Sequence, residues 1–347
     1  MNTGEEVLSV SNLTVEFDTQ EGTLAAVSDV SISLKRGETL AIVGESGSGK
    51  SVTSQAIIGT LPMPPGRITG GQIHFDGQNL LELAPAKRRA IAGARIAMIS
   101  QDAQSALDSR FTVGYQIGEM FRHHRGWSWK KSRAAAVELL DKVRIPNAAR
   151  RVNDYPHQFS GGMQQRAVIA AAISLQPDLL IADEPTTALD VTVQAEVMKL
   201  LDELKTELDL SMILVTHDLA QAYETADRVS VMYAGRVVEH ADRDRIFAAP
   251  AHPYTRGLFA ATPRMDQGDA ELVVIPGTTP NLAALPQGCA FAPRCPYKLD
   301  RCAIERPPSA IVAEDHSSAC FLASDVHALG SPFPEATSNT GRRQEAQ

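Results

Sequence analysis

Residues 39–51 constrain the fold of this chain more than any other stretch. Thr39-Leu40-Ala41-Ile42-Val43 is a short apolar run of the kind that forms a buried strand. It leads directly into Gly44-Glu45-Ser46-Gly47-Ser48-Gly49-Lys50-Ser51, which satisfies the phosphate-loop pattern G-x4-G-K-[ST] at every position. The glycines let backbone N–H groups converge on phosphate oxygens, and a helix opening at Lys50 turns its positive end toward the same anion. Lys50 would reach the β- and γ-phosphates, and the Ser51 hydroxyl would ligate Mg²⁺. A flexible Gly/Ser turn could share this composition, but it would not need an apolar strand before it and a helix after it.

Strand and helix alternate again further on. Leu179–Ala182, Ser211–Thr216 and Val229–Tyr233 read as strands, with helices around Val193–Leu208 and after Asp218. That alternation implies an α/β fold with a mainly parallel sheet covered by helices on both faces. Val7–Phe17 and Val27–Leu34 alternate as strands joined by a Gly-containing turn, an N-terminal antiparallel β subdomain. The Pro- and Gly-rich piece Pro62–Gly71 reads as a loop, Gln72–Phe75 as a hairpin strand before Asp76-Gly77, and Arg95–Ser100 as a buried strand. Residues 102–165 turn helical and polar, as an inserted helical subdomain would.

At 347 residues the chain exceeds the usual single domain, so one large domain of residues 1–265 with an appendage at 266–325 is expected. The end of the chain, 326–347, is polar and expected to be disordered. A net charge of -8 opposes nucleic-acid binding, which calls for a basic surface. Met1–Val10 shows neither a basic n-region nor an apolar h-region, so no secretory signal is expected. The richest apolar run, Ala167–Leu175, is about half a membrane span, so any work at a membrane must come through partners.

Two further motifs bear on phosphate chemistry. Leu179-Leu180-Ile181-Ala182-Asp183-Glu184 is an apolar strand ending in two acids: Asp183 suits Mg²⁺ ligation, and Glu184 can accept a proton from an attacking water. Phe159-Ser160-Gly161-Gly162-Met163-Gln164-Gln165-Arg166 precedes an Ala-rich helix that Ser160 can cap, with glycines exposing backbone donors at its N-terminus. This is a second phosphate-binding device, and one polypeptide would rarely bring both to one phosphate. A capped helix without a ligand would look the same.

Phosphate loop, Ser-Gly-Gly signature, Asp-Glu strand end, Ala188-Leu189-Asp190 and Thr216-His217-Asp218, in this order, resemble an ABC ATPase over roughly residues 5–265. The resemblance implies a P-loop NTPase core and a head-to-tail dimer. Each ATP would lie between one subunit's phosphate loop and the other's Ser160-Gly161-Gly162-Met163, with Asp190 in the D-loop. It implies that Gln101 touches Mg²⁺ and water, that His217 contacts the γ-phosphate, and that Phe17 lies where an aromatic stacks on adenine. Met163 departs from the family, which usually has Gln there. Ser160 and Gly162 are retained.

All four cysteines lie in the last fifth of the chain, spaced Cys289-x5-Cys295-x6-Cys302-x17-Cys320. In a cytosolic protein such a group reads as metal-binding before disulfide. Structural zinc sites usually contain close Cys-x2-4-Cys pairs, absent here, whereas four thiolates at wider spacing can hold a [4Fe–4S] cluster; zinc is the alternative. Together with Tyr155-Pro156-His157-Gln158, His252-Pro253-Tyr254-Thr255 and Ile275-Pro276-Gly277, this tail resembles the ATPase subunits of bacterial oligopeptide and dipeptide importers, and that resemblance points to the cluster. It further implies two transmembrane permease subunits, a second related ATPase, an extracellular binding protein, and a place on the cytoplasmic face of the plasma membrane. Gln101–Met120 would line the groove for a permease helix. Nickel or glutathione import is a close variant. A soluble ABC ATPase acting in translation or DNA repair would usually carry tandem ATPase units or a long coiled coil, and neither is present.

Overall fold

A computed structural model describes residues 5–20, 22–187, 189–261 and 275–326. In chain order the strands are β1 (Glu6–Thr19), β2 (Gly22–Lys35), β3 (Thr39–Val43), β4 (Gly66–Phe75), β5 (Gln78–Asn79), β6 (Ile96–Ile99), β7 (Leu179–Asp183), β8 (Ser211–Thr216), β9 (Arg228–Tyr233), β10 (Arg236–Asp242), β11 (Ala310–Ala313) and β12 (His316–Ser318). They form two sheets: an antiparallel one ordered β2-β1-β4-β5, and a larger one ordered β11-β12-β10-β9-β3-β8-β7-β6. In the larger sheet β9, β3, β8, β7 and β6 run parallel, and β10, β12 and β11 extend it antiparallel.

Every residue of β3, β7 and β8 is buried, which is why these strands read as continuous apolar runs instead of alternating ones. Each buried Leu, Ile or Val there contributes about 1.5–3 kcal/mol. One core joins the two sheets through Val15, Ile32, Ile42, Ile57, Phe75 and Ile213. A second joins the other face of the parallel strands to the helical subdomain, including helices Val113–Arg125, Trp129–Lys142 and Gly161–Ile173. The two faces are thus covered by different layers, and the phosphate loop sits at the C-terminal end of the central strand β3.

Two expectations change. Pro62–Gly71 is not all loop, because β4 begins at Gly66 and pairs with β1 through Phe17↔Gly66 and Val15↔Ile68. Its paired glycines mark a register shift: Gly71 has φ +91°, and a Cβ there would meet the Leu13 backbone at 2.6 Å. They make a bulge, not a chain break. Second, the Cys-bearing extension continues the main sheet, since β12 pairs with β10 through Glu239↔Ser318 and Ala241↔His316. Glu239, fully buried, accepts hydrogen bonds from Ala251 N (2.6 Å), His252 N (2.9 Å) and His316 Nε2 (2.8 Å), stapling the extension to the sheet. Among the described residues no helix is long and apolar enough to cross a membrane. The polar end expected to be disordered lies, from residue 327 on, outside the described residues.

Candidate functional site

The phosphate loop turns out of β3 through Gly44, Gly47 and Gly49, all at positive φ, and enters helix Lys50–Ile58. At Gly44 a Cβ would meet the Met232 carbonyl at 2.2 Å, so only glycine fits. The Lys50 ammonium donates to the carbonyls of Gly44 (2.8 Å) and Glu45 (3.0 Å), which folds it back over the loop. Burial lowers its pKa, opposed by the nearby Glu184, Asp183 and Glu45 carboxylates.

Strand β7 sets down the two acids beside this loop. Ser51 Oγ donates to Asp183 Oδ1 at 3.1 Å. Burial raises the Asp183 pKa, with Glu184 adding to the rise, while the Ser51 hydrogen bond and Lys50 oppose it. These two hard oxygen donors suit Mg²⁺, which takes few protein ligands and completes its shell with phosphates and water.

Glu184, at φ +47°, leaves the strand sharply; its N–H donates to the Val215 carbonyl of β8. Three groups converge on its carboxylate. Gln101 Nε2 donates to Oε2 at 2.9 Å, Thr187 Oγ1 donates to the same oxygen at 2.9 Å, and His217 Nδ1 lies 3.4 Å from Oε1. Lys50, Ser51, Gln101, Asp183, Glu184 and His217 are therefore gathered into one constellation. Sequence reasoning missed Thr187, although it lies between the Asp183-Glu184 strand end and Ala188-Leu189-Asp190, and Gln221. The latter donates to Thr186 Oγ1 (3.0 Å) and accepts from Thr216 Oγ1 (3.4 Å), holding the loop after β7 against the loop bearing His217.

Phe17 is not part of this constellation; it lies half-buried against the core between the sheets, beside Gly66. The Ser-Gly-Gly segment also makes its contacts elsewhere. Ser160 caps helix Gly161–Ile173 by accepting from Met163 N at 3.4 Å. At Gly161 a Cβ would lie 3.6 Å from Leu189, and at Gly162 it would meet Val193 Cγ1 at 2.7 Å. The absence of a Cβ at Gly162 is thus required by the packing of this helix on Val193. Met163 packs on the helical core, and exposed Asp190 caps helix Val191–Leu208 by accepting from Val193 N at 3.0 Å.

The four cysteines line one small cavity together with Phe291, Tyr297 and Phe321. Cys289 N–H donates to the Cys302 carbonyl at 2.9 Å, and Leu322 N–H donates to Cys320 Sγ at 3.4 Å. Burial pushes the Cys295 thiol up to about 11 and the Cys320 thiol up to about 12. Among the described residues, however, no group of three or more His, Cys, Asp or Glu side chains is placed to hold a metal ion. The expected cluster or zinc therefore gains no support from a ready-made ligand set.

A family model described as "ABC transporter" matches residues 27–187, and one described as "Oligopeptide/dipeptide transporter, C-terminal region" matches residues 238–302. The chain is 49% identical over 318 residues to the dipeptide transport ATP-binding protein DppD of Bacillus subtilis, covering 92% of this chain and 95% of that protein. Against the oligopeptide transport ATP-binding protein OppD of Salmonella typhimurium it is 46% identical, covering 91% and 93%. Among solved structures, the dimeric ATP-binding cassette MJ0796 in a post-hydrolysis state with ADP and Pi matches with a TM-score of 0.61 and 29% identity, over 68% of this chain and 98% of that one. With the phosphate loop, the Glu184 constellation and both family regions in one polypeptide, the chain belongs to the ABC transporter family, among the dipeptide and oligopeptide transport ATP-binding proteins.

Proposed function

We propose that this chain hydrolyses ATP to power uptake of di- and oligopeptides through partner permease subunits. The observation that carries the reading is the convergence of Gln101, Thr187 and His217 on Glu184, next to the Ser51–Asp183 pair. In this reading Lys50 and the N–H groups of Gly44–Ser51 hold the phosphates, and Phe17 stacks on adenine. Ser51, Asp183 and Gln101 would hold Mg²⁺, which would offset the phosphate charge when bound. Gln101 and Thr187 orient the carboxylate of Glu184, which takes a proton from the attacking water, and His217 contacts the γ-phosphate. Ser160–Met163 and Asp190 serve the ATP of a second ATPase subunit, consistent with their contacts lying apart from the phosphate loop. Closure on ATP and reopening after hydrolysis then drive transport, because the two states of the dimer bind nucleotide with different affinity.

Docking to the permeases on the cytoplasmic face of the membrane fits the segment after Gln101. There Phe111 stacks on Tyr115 at 4.8 Å, Trp129 lies against Tyr115 at 5.2 Å, and both Phe111 and Trp129 stay exposed. An extracellular binding protein would deliver the cargo. The four cysteines would hold a [4Fe–4S] cluster in a structural role: they share one cavity, and a cluster of four irons spaces its thiolates more widely than a single ion does. The decisive experiment is Glu184→Gln, expected to retain ATP binding while hydrolysis falls about 10²–10⁴-fold and a closed ATP-loaded dimer accumulates. Normal turnover in that variant overturns Glu184 as base. Peptide-independent turnover in the reconstituted complex would overturn the cargo.

A further inference from the structure

Two strings marked in the sequence, His252-Pro253-Tyr254-Thr255 and Ile275-Pro276-Gly277, play no part in the chemistry above, yet both converge on Glu45, the second residue of the phosphate loop. Arg294 joins them. Its guanidinium makes a two-pronged bond to the Glu45 carboxylate, Nη1 to Oε2 at 2.9 Å and Nη2 to Oε1 at 3.1 Å. Nε donates to the Pro276 carbonyl at 2.9 Å and Nη2 also reaches the Ile275 carbonyl at 3.4 Å. Gly277, at φ +79°, lets the Arg294 stem pass; a Cβ there would meet Arg294 Cγ at 3.3 Å. The Glu45 N–H donates to the Tyr254 hydroxyl at 3.0 Å, and Thr279 Oγ1 donates to Glu45 Oε2 at 3.4 Å. Arg294 closes the short turn between Cys289 and Cys295, and Phe291 in the same segment packs on both Tyr233 and Tyr254. The Arg294 side chain is 7% exposed.

We propose that Arg294 is a positioning residue for the nucleotide: it neutralises Glu45 and holds its carboxylate off the phosphates, so that the folded cysteine-rich extension sets ATP affinity. The proposal rests on the ATP reading of residues 44–51. A loop that gathers N–H groups and a lysine around an anion is opposed by a carboxylate of its own unless that charge is cancelled. A bidentate guanidinium cancels it and fixes its direction, which a point-charge ammonium does less well. Removing one member of such a half-buried pair leaves the other charge uncompensated.

The test measures binding of a fluorescent ATP analogue to the purified full-length chain, with ATP KM and kcat measured alongside. Arg294→Ala should weaken nucleotide binding about tenfold and raise KM with little change in kcat. In the Glu45→Gln background the same substitution should cost less than about twofold, because no carboxylate is left to repel the phosphates. Arg294→Lys should fall between, and it serves as the second variant if Arg294→Ala does not fold. An equal loss in both backgrounds, or no loss with Glu45 present, overturns the proposal while leaving ATP binding intact. If the unmodified chain binds no nucleotide, the ATP reading itself falls.

Discussion

Gln101 and Glu184, 83 positions apart, meet at 2.9 Å, with the amide of the first donating to the carboxylate of the second. Gln101 stands just beyond β6 and Glu184 just beyond β7, and these neighbouring strands run parallel with Ile99 paired to Ala182. The contact is therefore a consequence of register. The segment that follows Gln101 leads to the exposed aromatic rings of Phe111 and Trp129.

If Gln101 and Thr187 orient Glu184, losing either should slow hydrolysis. Loss of Thr187 should leave nucleotide binding unchanged, whereas loss of Gln101, which is also placed on Mg²⁺, should weaken Mg²⁺–nucleotide binding as well. Gln101→Ala and Thr187→Ala should each lower kcat about five- to tenfold, the worth of roughly one hydrogen bond. Single-turnover hydrolysis and nucleotide titration separate the two effects. Unchanged kcat in both variants would remove them from the catalytic arrangement.

Gly162 stands against Val193 with no room for a Cβ. Gly162→Ala should destabilise the chain by about 1–3 kcal/mol through overpacking. Adding Val193→Ala should recover much of that loss, as read from urea unfolding midpoints. Failure of the second change to help would mean that the packing conflict lies elsewhere.

A buried histidine, His252, and a half-buried one, His240, predict acid sensitivity at the joint between the main sheet and the extension. Burial holds His252 at about 4, and its Nδ1 accepts from Tyr254 N at 3.0 Å. Burial, with the positive charge of Arg228, holds His240 at about 4 as well. An unfolded histidine titrates near 6.5. Between about pH 6.5 and 4 the unfolded chain binds protons that the folded chain refuses, so stability falls as pH falls through this window and levels off below it. Each histidine should contribute a loss of about 3 kcal/mol. Thermal midpoints flat from pH 7 to pH 4.5 would contradict this.

For the cysteines the measurement is spectroscopic. Anaerobically purified protein should be brown, absorbing at roughly 400 nm, and should contain iron and sulfide. Replacing Cys289 and Cys295 by Ser should abolish the colour. Stoichiometric zinc without iron would sink the cluster assignment.

What the sequence determined by itself was everything that depends on a few consecutive residues. The glycines of Gly44–Ser51 demand a phosphate loop, the buried parallel strands announce themselves as apolar runs, and Ser160 sits where a helix cap must. Local chemistry fails where pairing with a distant strand overrides it, as at Gly66–Gly71, whose glycines read as a loop and form part of a strand. Tertiary structure alone decided which distant groups meet. Thr187 and Gln221 show no pattern that marks them apart from ordinary polar loop and helix residues, and they matter because β7 and β8 lie side by side. Tertiary structure also decided that the cysteine-rich end adds strands to the main sheet and reaches back to Glu45 through Arg294, 249 positions away. A motif can specify its own backbone, because the relevant torsions and hydrogen bonds are local. Which partner faces it is set by chain topology and by burial of surface, and no short stretch of residues encodes those.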